Sequence, residues 1–221
     1  MRIVATSDTH FPFTDKLIPD GDVFVHTGDL MYTGYVDEWY PRIESLAALP
    51  HKVKLLVPGN HDYHIQNYEG VAAAELRKAG VTMLWPKHPV FELKKVKFLG
   101  LPFVTGLEGW AFSRSEEWVR DYLAGLNEDP NIVLSHAPPY LMRDAIYPHK
   151  DRARDREHVG CMAYNYWYNK MIKEGIRPKH WISGHIHESY GSTDYGGTWM
   201  HNAAMCDRKY QQTNPAIVID L

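Results

Sequence analysis

Val53-Lys54-Leu55-Leu56-Val57-Pro58-Gly59-Asn60-His61-Asp62 joins a short apolar run to a dense group of metal-ligand and proton-transfer side chains. Val53 to Val57 has the length and apolarity of a buried strand. Pro58 and Gly59 stop it, so Asn60, His61 and Asp62 fall at its carboxyl end. The arrangement recurs. Asp8 and His10 follow a strand at Arg2 to Ser7, and Gly28-Asp29 follows Val23 to Thr27. Ser135-His136 follows Ile132-Val133-Leu134, and Gly184-His185-Ile186-His187 follows a strand at 181–183. In open α/β sheets the carboxyl edge of the strands is where ligands bind.

The segments between these groups alternate in character. Trp39, Ile43, Leu46 and Leu49 recur near period 3.6 and predict a helix over 36–49, with Pro41 near its first turn or kinking it. A second helix runs from Gly70 to Ala79 and closes at Gly80. Val90 to Leu93 and Val96 to Leu101 flank Lys94-Lys95 as a hairpin. Ser113 to Glu116 fits a capping box. It opens a helix carrying Trp118, Val119, Tyr122, Leu123 and Leu126 on one face. Cys161 to Lys173 reads as a helix, and Thr198 to Ala203 and Ala216 to Asp220 as the last strands. The pattern predicts an α/β layered fold with one mixed sheet or two. With no repeat, linker or boundary, residues 1–221 read as one domain.

Composition narrows the class. Lys plus Arg number 24 and Asp plus Glu 27, a net charge of −3 among 221 residues. A chain this long buries about 70% of its unfolded surface without staples. Disordered tails, collagen-like fibres and coiled coils are excluded. No apolar run reaches the roughly 18 residues of a membrane span, and no secretory leader is legible. Cys161 and Cys206 are too few for a disulfide scaffold, so a cytoplasmic protein is expected. The mild acidity argues against a broad nucleic-acid surface. Oligomeric state is not legible. Thirteen histidines stand out instead.

Asp, Asn and His offer oxygen and nitrogen donors and no thiolate. That suits Mn, Fe, Ni, Co or Zn rather than a structural Cys-type zinc site. Asp8, His10, Asp29, Asn60, His136, His185 and His187 are too many for one ion with an open position. Divided between two divalent ions, with one carboxylate shared, they are about right. Two ions roughly 3.5–4 Å apart clamp a phosphoryl group and activate a bridging water. His185 and His187 share one face of an extended segment.

In this order the five groups resemble the calcineurin-like metallophosphoesterase superfamily over nearly the whole chain. The resemblance implies a four-layer αββα sandwich with two divalent metals, manganese favoured, at the sheet edge. It implies that Asp8, His10 and His187 hold the first metal, that Asn60, His136 and His185 hold the second, and that Asp29 bridges. It also implies that a metal-bridging hydroxide attacks phosphorus while His61 acts as general acid, with adjacent Asp62 holding the imidazole tautomer. His136-Ala137-Pro138-Pro139, Asp144, His158 to Cys161, Arg177 to His180, Glu188, Gly191, Asn202-Ala203 and Trp110-Ala111-Phe112 are similar to its metallophosphoesterase-domain-containing branch. Characterised members of that branch hydrolyse cyclic nucleotides and other small phosphodiesters.

Alternatives remain. A Ser/Thr protein phosphatase would carry an Arg soon after Gly28-Asp29, where this chain has Leu30-Met31-Tyr32-Thr33-Gly34. The missing clamp favours a diester over a dianionic monoester. A nuclease lacks a dominant basic face here. A non-catalytic metal-binding module would keep the fold without turnover. Residues 139–160, with Arg143, Lys150, Arg152, Arg154 and Arg156 against Asp144, Asp151, Asp155 and Glu157, form either a solvated loop or a substrate lid. Asn60, His61, Tyr63, His64, Tyr140 and His158 are candidate contacts for a small phosphoester. Tyr164, Tyr166, Trp167 and Tyr168 read as packing, and His26 as support for the ligands or plain core.

Overall fold

Strands with apolar residues on both faces must be buried on both faces, and that dictates the layering. In β1 (Arg2–Thr6), Ile3 and Ala5 face one side and Val4 the other, all three fully buried. Residues 1–12, 18–147 and 156–221 of the computed structural model are described. Lys150, Asp151, Arg152, Arg154 and Asp155 of the charged segment lie outside them.

β2 (Val23–His26), α1 (Val36–Ala48), β3 (Val53–Leu56), α2 (Tyr63–Asn67), α3 (Glu69–Lys78) and β4 (Thr82–Met83) follow β1. Next come β5 (Val90–Leu93), β6 (Val96–Leu101), α4 (Glu116–Ala124), β7 (Ile132–Ser135), β8 (Ala145–Ile146) and β9 (Glu157–His158). α5 (Met162–Lys173), β10 (His180–Ser183), β11 (Gly191–Tyr195), β12 (Thr198–Asn202) and β13 (Ile217–Asp220) complete the order. One sheet has the order β13-β1-β2-β3-β4, the other β11-β12-β10-β7-β6-β5. Between them lie Ile3, Ala5, Val25 and Leu55 from the first and Phe98, Ile132, Leu134 and Ile182 from the second. Val4, Phe24 and Leu56 turn outward onto Trp39 and Leu46 of α1 and Leu76 of α3. Val133 and Trp181 turn outward onto Val119 of α4 and Tyr164, Trp167 and Tyr168 of α5. The result is the four-layer αββα sandwich.

Register positions the ligand-bearing segments. β1, β2 and β3 are parallel, with Thr6 opposite His26 and His26 opposite Leu56. β7 and β10 are parallel, with Leu134 opposite Ile182. All five segments therefore leave their strands at one edge, where a bridge from Ser7 to Ala204 joins the two sheets.

Local departures from the sequence reading have simple causes. β4 and α2 are too short to show a period. β11 is a polar edge strand, Gly-Ser-Thr-Asp-Tyr, with no apolar signal. Residues 139–160 include the antiparallel pair β8-β9. Pro41 lies inside α1, beyond its first turn. The cap of α4 is Ser115, whose Oγ accepts from the Trp118 amide at 3.1 Å, not Ser113. Glu116 instead accepts from the amides of Met162 and Ala163 and so caps α5.

His201 of β12 is buried and accepts or donates between Ser192 Oγ (2.7 Å) and His180 Nδ1 (3.1 Å). Burial, then the His180 charge, lowers it to about 4. A histidine depressed in the folded state stabilises fully above its unfolded pKa of about 6.5, and the unfolded chain takes up the proton first as pH falls. Urea midpoints should therefore decline between about pH 6.5 and 4, this residue accounting for about 3 kcal/mol. His201→Gln should flatten that limb; an unchanged pH slope would refute the assignment.

Candidate metal centre

Asp8, His10, Asp29 and His185 hold φ values of 50, 51, 55 and 66°, in the left-handed region. Each costs about 1–2 kcal/mol relative to ordinary backbone. The strain turns each side chain back over its own strand end. Two glycines make room for the turns. A Cβ on Gly28 (φ 108°) would strike the His136 imidazole, and one on Gly184 would strike the Asp8 carboxylate.

The donor atoms gather in overlapping sets: Asp8, His10 and His187; His10, Asp29 and His61; Asp29, His136 and His185. Within each, one ligand atom per residue lies within 4.8 Å of the others. Asp29 belongs to two sides. Its Oδ1 is 3.3 Å from His136 Nε2, while its Oδ2 is 3.9 Å from His10 Nε2. Asn60 Oδ1 reaches His136 Nε2 at 2.9 Å.

Backbone carbonyls fix which ring nitrogens face inward. His10 Nδ1 donates to Met31 O (3.0 Å), His136 Nδ1 to Thr27 O (2.8 Å) and His187 Nδ1 to Asp207 O (2.9 Å). In neutral rings the three Nε2 atoms then carry lone pairs. Yet His10 Nε2 lies 3.4 Å from His187 Nε2, and His136 Nε2 faces the oxygens of Asn60 and Asp29. Acceptors aimed at acceptors need a cation or a proton between them. The buried Asp8 and Asp29 have no Lys or Arg partner among the described residues. This donor set fits divalent metal ions.

Electrostatics agree. Burial opposes charge on Asp8, but hydrogen bonding to His187 holds it well below the carboxylate range. Asp29 is lowered against burial chiefly by His136. In return Asp29 raises His136, and Asp8 raises His187, each to about 9 despite burial. Burial, then the His136 charge, lowers His185 to about 4. His26 is lowered to about 3 by burial. Its Nδ1 accepts from the Gly28 amide and its Nε2 donates to Thr9, so it braces the loops rather than joining the ligand sets.

Asp62 does not pair with His61. Its buried carboxylate accepts from the amides of Asp29 (3.1 Å), Met31 (3.1 Å) and Gly59 (2.8 Å), tying the loop after β2 to the loop after β3. Burial, then Asp29, pushes its carboxyl up to about 7. The tautomer of His61 is set by Tyr32 O, 2.5 Å from Nδ1. His61 Nε2 faces the pocket, 3.9 Å from Asp29 Oδ2. Arg42 of α1 adds a second brace, donating to Leu30 O and His10 O.

A cavity of about 630 Å³ opens over the cluster. Asn60 and His61 line it, together with Trp110, Glu188, Arg208 and Tyr210. Trp110 packs on His61 and Tyr210 on His10, with ring centres 4.7 and 4.8 Å apart. Tyr63, His64, Tyr140 and His158 do not line it. Tyr63 lies behind Trp110 with its hydroxyl on Gly109 O, and with His64 it borders a separate groove. His158 is held by Asp144 at 2.6 Å beside Tyr140. Tyr63 and His64 were named for their proximity to the motif, and they lie on α2, whose side chains diverge from the strand edge. Arg208 and Tyr210 were missed because no motif marks the turn that carries them.

The family model for calcineurin-like phosphoesterases matches residues 1–189. A UPF0046 protein of Caenorhabditis elegans is 30% identical over 98% of this chain and 74% of its own length. Another from that organism is 28% identical over 100% of this chain and 81% of its own. Metallophosphoesterase domain-containing protein 1 of Homo sapiens is 27% identical over 100% of this chain and 71% of its own. Among the described residues, no helix is long and apolar enough to cross a membrane.

Asp62→Asn places an amide where three N–H donors converge. It should cost about 1–3 kcal/mol in urea unfolding and weaken metal retention on dialysis. A variant as stable and as metal-replete as the parent would show the bracket to be dispensable. Gly184→Ala, whose Cβ would meet both Asp8 and Ser7, should lower metal content measured by atomic emission together with stability.

Proposed function

The chain belongs to the calcineurin-like phosphoesterase family, and from that membership we propose that residues 1–221 form one dinuclear phosphodiesterase domain acting on cyclic nucleotides or other small diesters. The observation that carries the reading is the convergence of Asp and His donor atoms at one sheet edge. Asp8, His10 and His187 would hold one ion and Asn60, His136 and His185 the other, with Asp29 shared. Bound there, divalent cations supply charge neutralisation at phosphoryl oxygens and lower the pKa of a shared water. Manganese is the favoured ion among Mn, Fe, Ni, Co and Zn. The free, buried Cys161 and Cys206 suit a cytoplasmic setting.

His61 takes the proton-transfer role. As imidazolium it keeps its Nδ1 proton on Tyr32 O and presents its Nε2 proton to the pocket. Donating that proton to the leaving oxygen returns the ring to the neutral tautomer that Tyr32 already favours. Trp110 against the ring limits its rotation and water access. The choice of diester follows from the absent Arg after Gly28-Asp29, since a dianionic monoester gains most from a bidentate clamp.

Asp29→Asn should remove bound metal and hydrolysis of a nitrophenyl phosphodiester together. His61→Ala should keep its metal yet lose about 10²–10⁴ in kcat, most for alkyl esters with poor leaving groups. Equal losses across leaving groups would remove His61 from the role of acid. Wild-type turnover by Asp29→Asn would end the dinuclear reading.

A further inference from the structure

Among the described residues, Arg208 is the one Lys or Arg that lines the cavity above the metal ligands. It is not a free clamp. Its Nε lies 3.0 Å from Glu188 Oε1 in an ion pair, and its Nη1 donates to Tyr147 O at 3.0 Å. Nη2 has no partner among the described residues. Glu188 follows the ligand His187, and its side chain is only 17% exposed. Arg208 belongs to the turn whose Asp207 carbonyl orients His187. Both charges are thus fixed to the pocket wall by neighbours of one ligand.

We propose that the Glu188–Arg208 ion pair is a charge filter that favours monoanionic phosphodiesters over dianionic phosphomonoesters. The inference rests on the phosphoesterase reading above. With Nε beside Glu188 and one Nη1 hydrogen on Tyr147 O, Arg208 keeps N–H groups for a phosphoryl oxygen, but its positive charge is already compensated by Glu188. Glu188 cancels its charge and repels a second negative charge on the ligand. A diester carries one negative charge and loses little. A monoester dianion meets a compensated cation and loses more.

The test uses the manganese-loaded full chain. Inorganic phosphate and dimethyl phosphate are titrated by calorimetry at about pH 8, where phosphate is a dianion. Wild type, Glu188→Gln and Glu188→Gln/Arg208→Gln are compared, with metal content measured first. Glu188→Gln should tighten phosphate about tenfold relative to dimethyl phosphate. Adding Arg208→Gln should abolish the gain, since it runs through the released guanidinium. The proposal is overturned by an unchanged ratio, a gain that persists in the double variant, a Glu188→Gln protein that no longer holds metal, or a wild type that binds neither anion. Nitrophenyl mono- and diester turnover is measured alongside. Loss of turnover with the binding ratio intact would defeat the hydrolase reading and leave the filter standing.

Discussion

Lone pairs aimed at lone pairs are the constraint around which this protein is built. His10 and His187 turn their Nε2 atoms toward each other, and His136 turns its own toward Asn60 and Asp29, so in neutral rings acceptor meets acceptor. In water such atoms would face solvent. Here the sandwich buries them, so the arrangement is favourable only with positive charge among them. Protons meet the need at His136 and His187, each raised to about 9. Divalent cations meet it better, because one ion satisfies several donors at once. Metal binding at this edge is therefore linked to proton release and to folding stability.

The geometry is held by contacts to backbone groups, some from the cluster itself: Asp8 accepts from the His185 amide and Asp29 from the His61 amide. Four residues at the edge occupy left-handed backbone, and such strain persists only where surroundings over-determine it. Asp62 gathers three amides. Arg42 holds two carbonyls, and Asn202 Nδ2 donates to Gly184 O and Ile186 O. A buried carboxylate, a guanidinium and an amide thus fix the loops after β2, β1 and β10. The cost of bringing like charges together is met during folding, before any substrate arrives.

The Asp and His cluster was legible in the sequence because each of its members lies within a few residues of a strand end. Strand ends are readable from short apolar runs and the turn residues that stop them. The same runs, lacking the polar alternation of a one-faced sheet, pointed to one mixed sheet or two, and the family resemblance supplied the two-sheet sandwich. Asp62 shows the limit of adjacency. It neighbours His61 in the chain, yet the residue between turn and helix points its carboxylate the other way. The carbonyl that orients His61 comes from Tyr32, and carbonyls leave no trace in residue identity. Tyr63 and His64 were drawn to the site by the same adjacency and lie on α2, outside the cavity.

Ligands and cavity wall therefore obey different rules. The ligands come from parallel strands in flush register, so one topology fixes them all. Much of the wall comes from turns around residues 105–110 and 207–210, which no strand register constrains. These turns still touch the cluster, since Trp110 packs on His61, Tyr210 packs on His10 and Asp207 O orients His187. Glu188 and Arg208 occupy the join between the two. One is bonded in sequence to a ligand, and the other is carried by the turn that orients that ligand. Under the proposed filter, a change in either alters the charge that a substrate meets at the cavity wall.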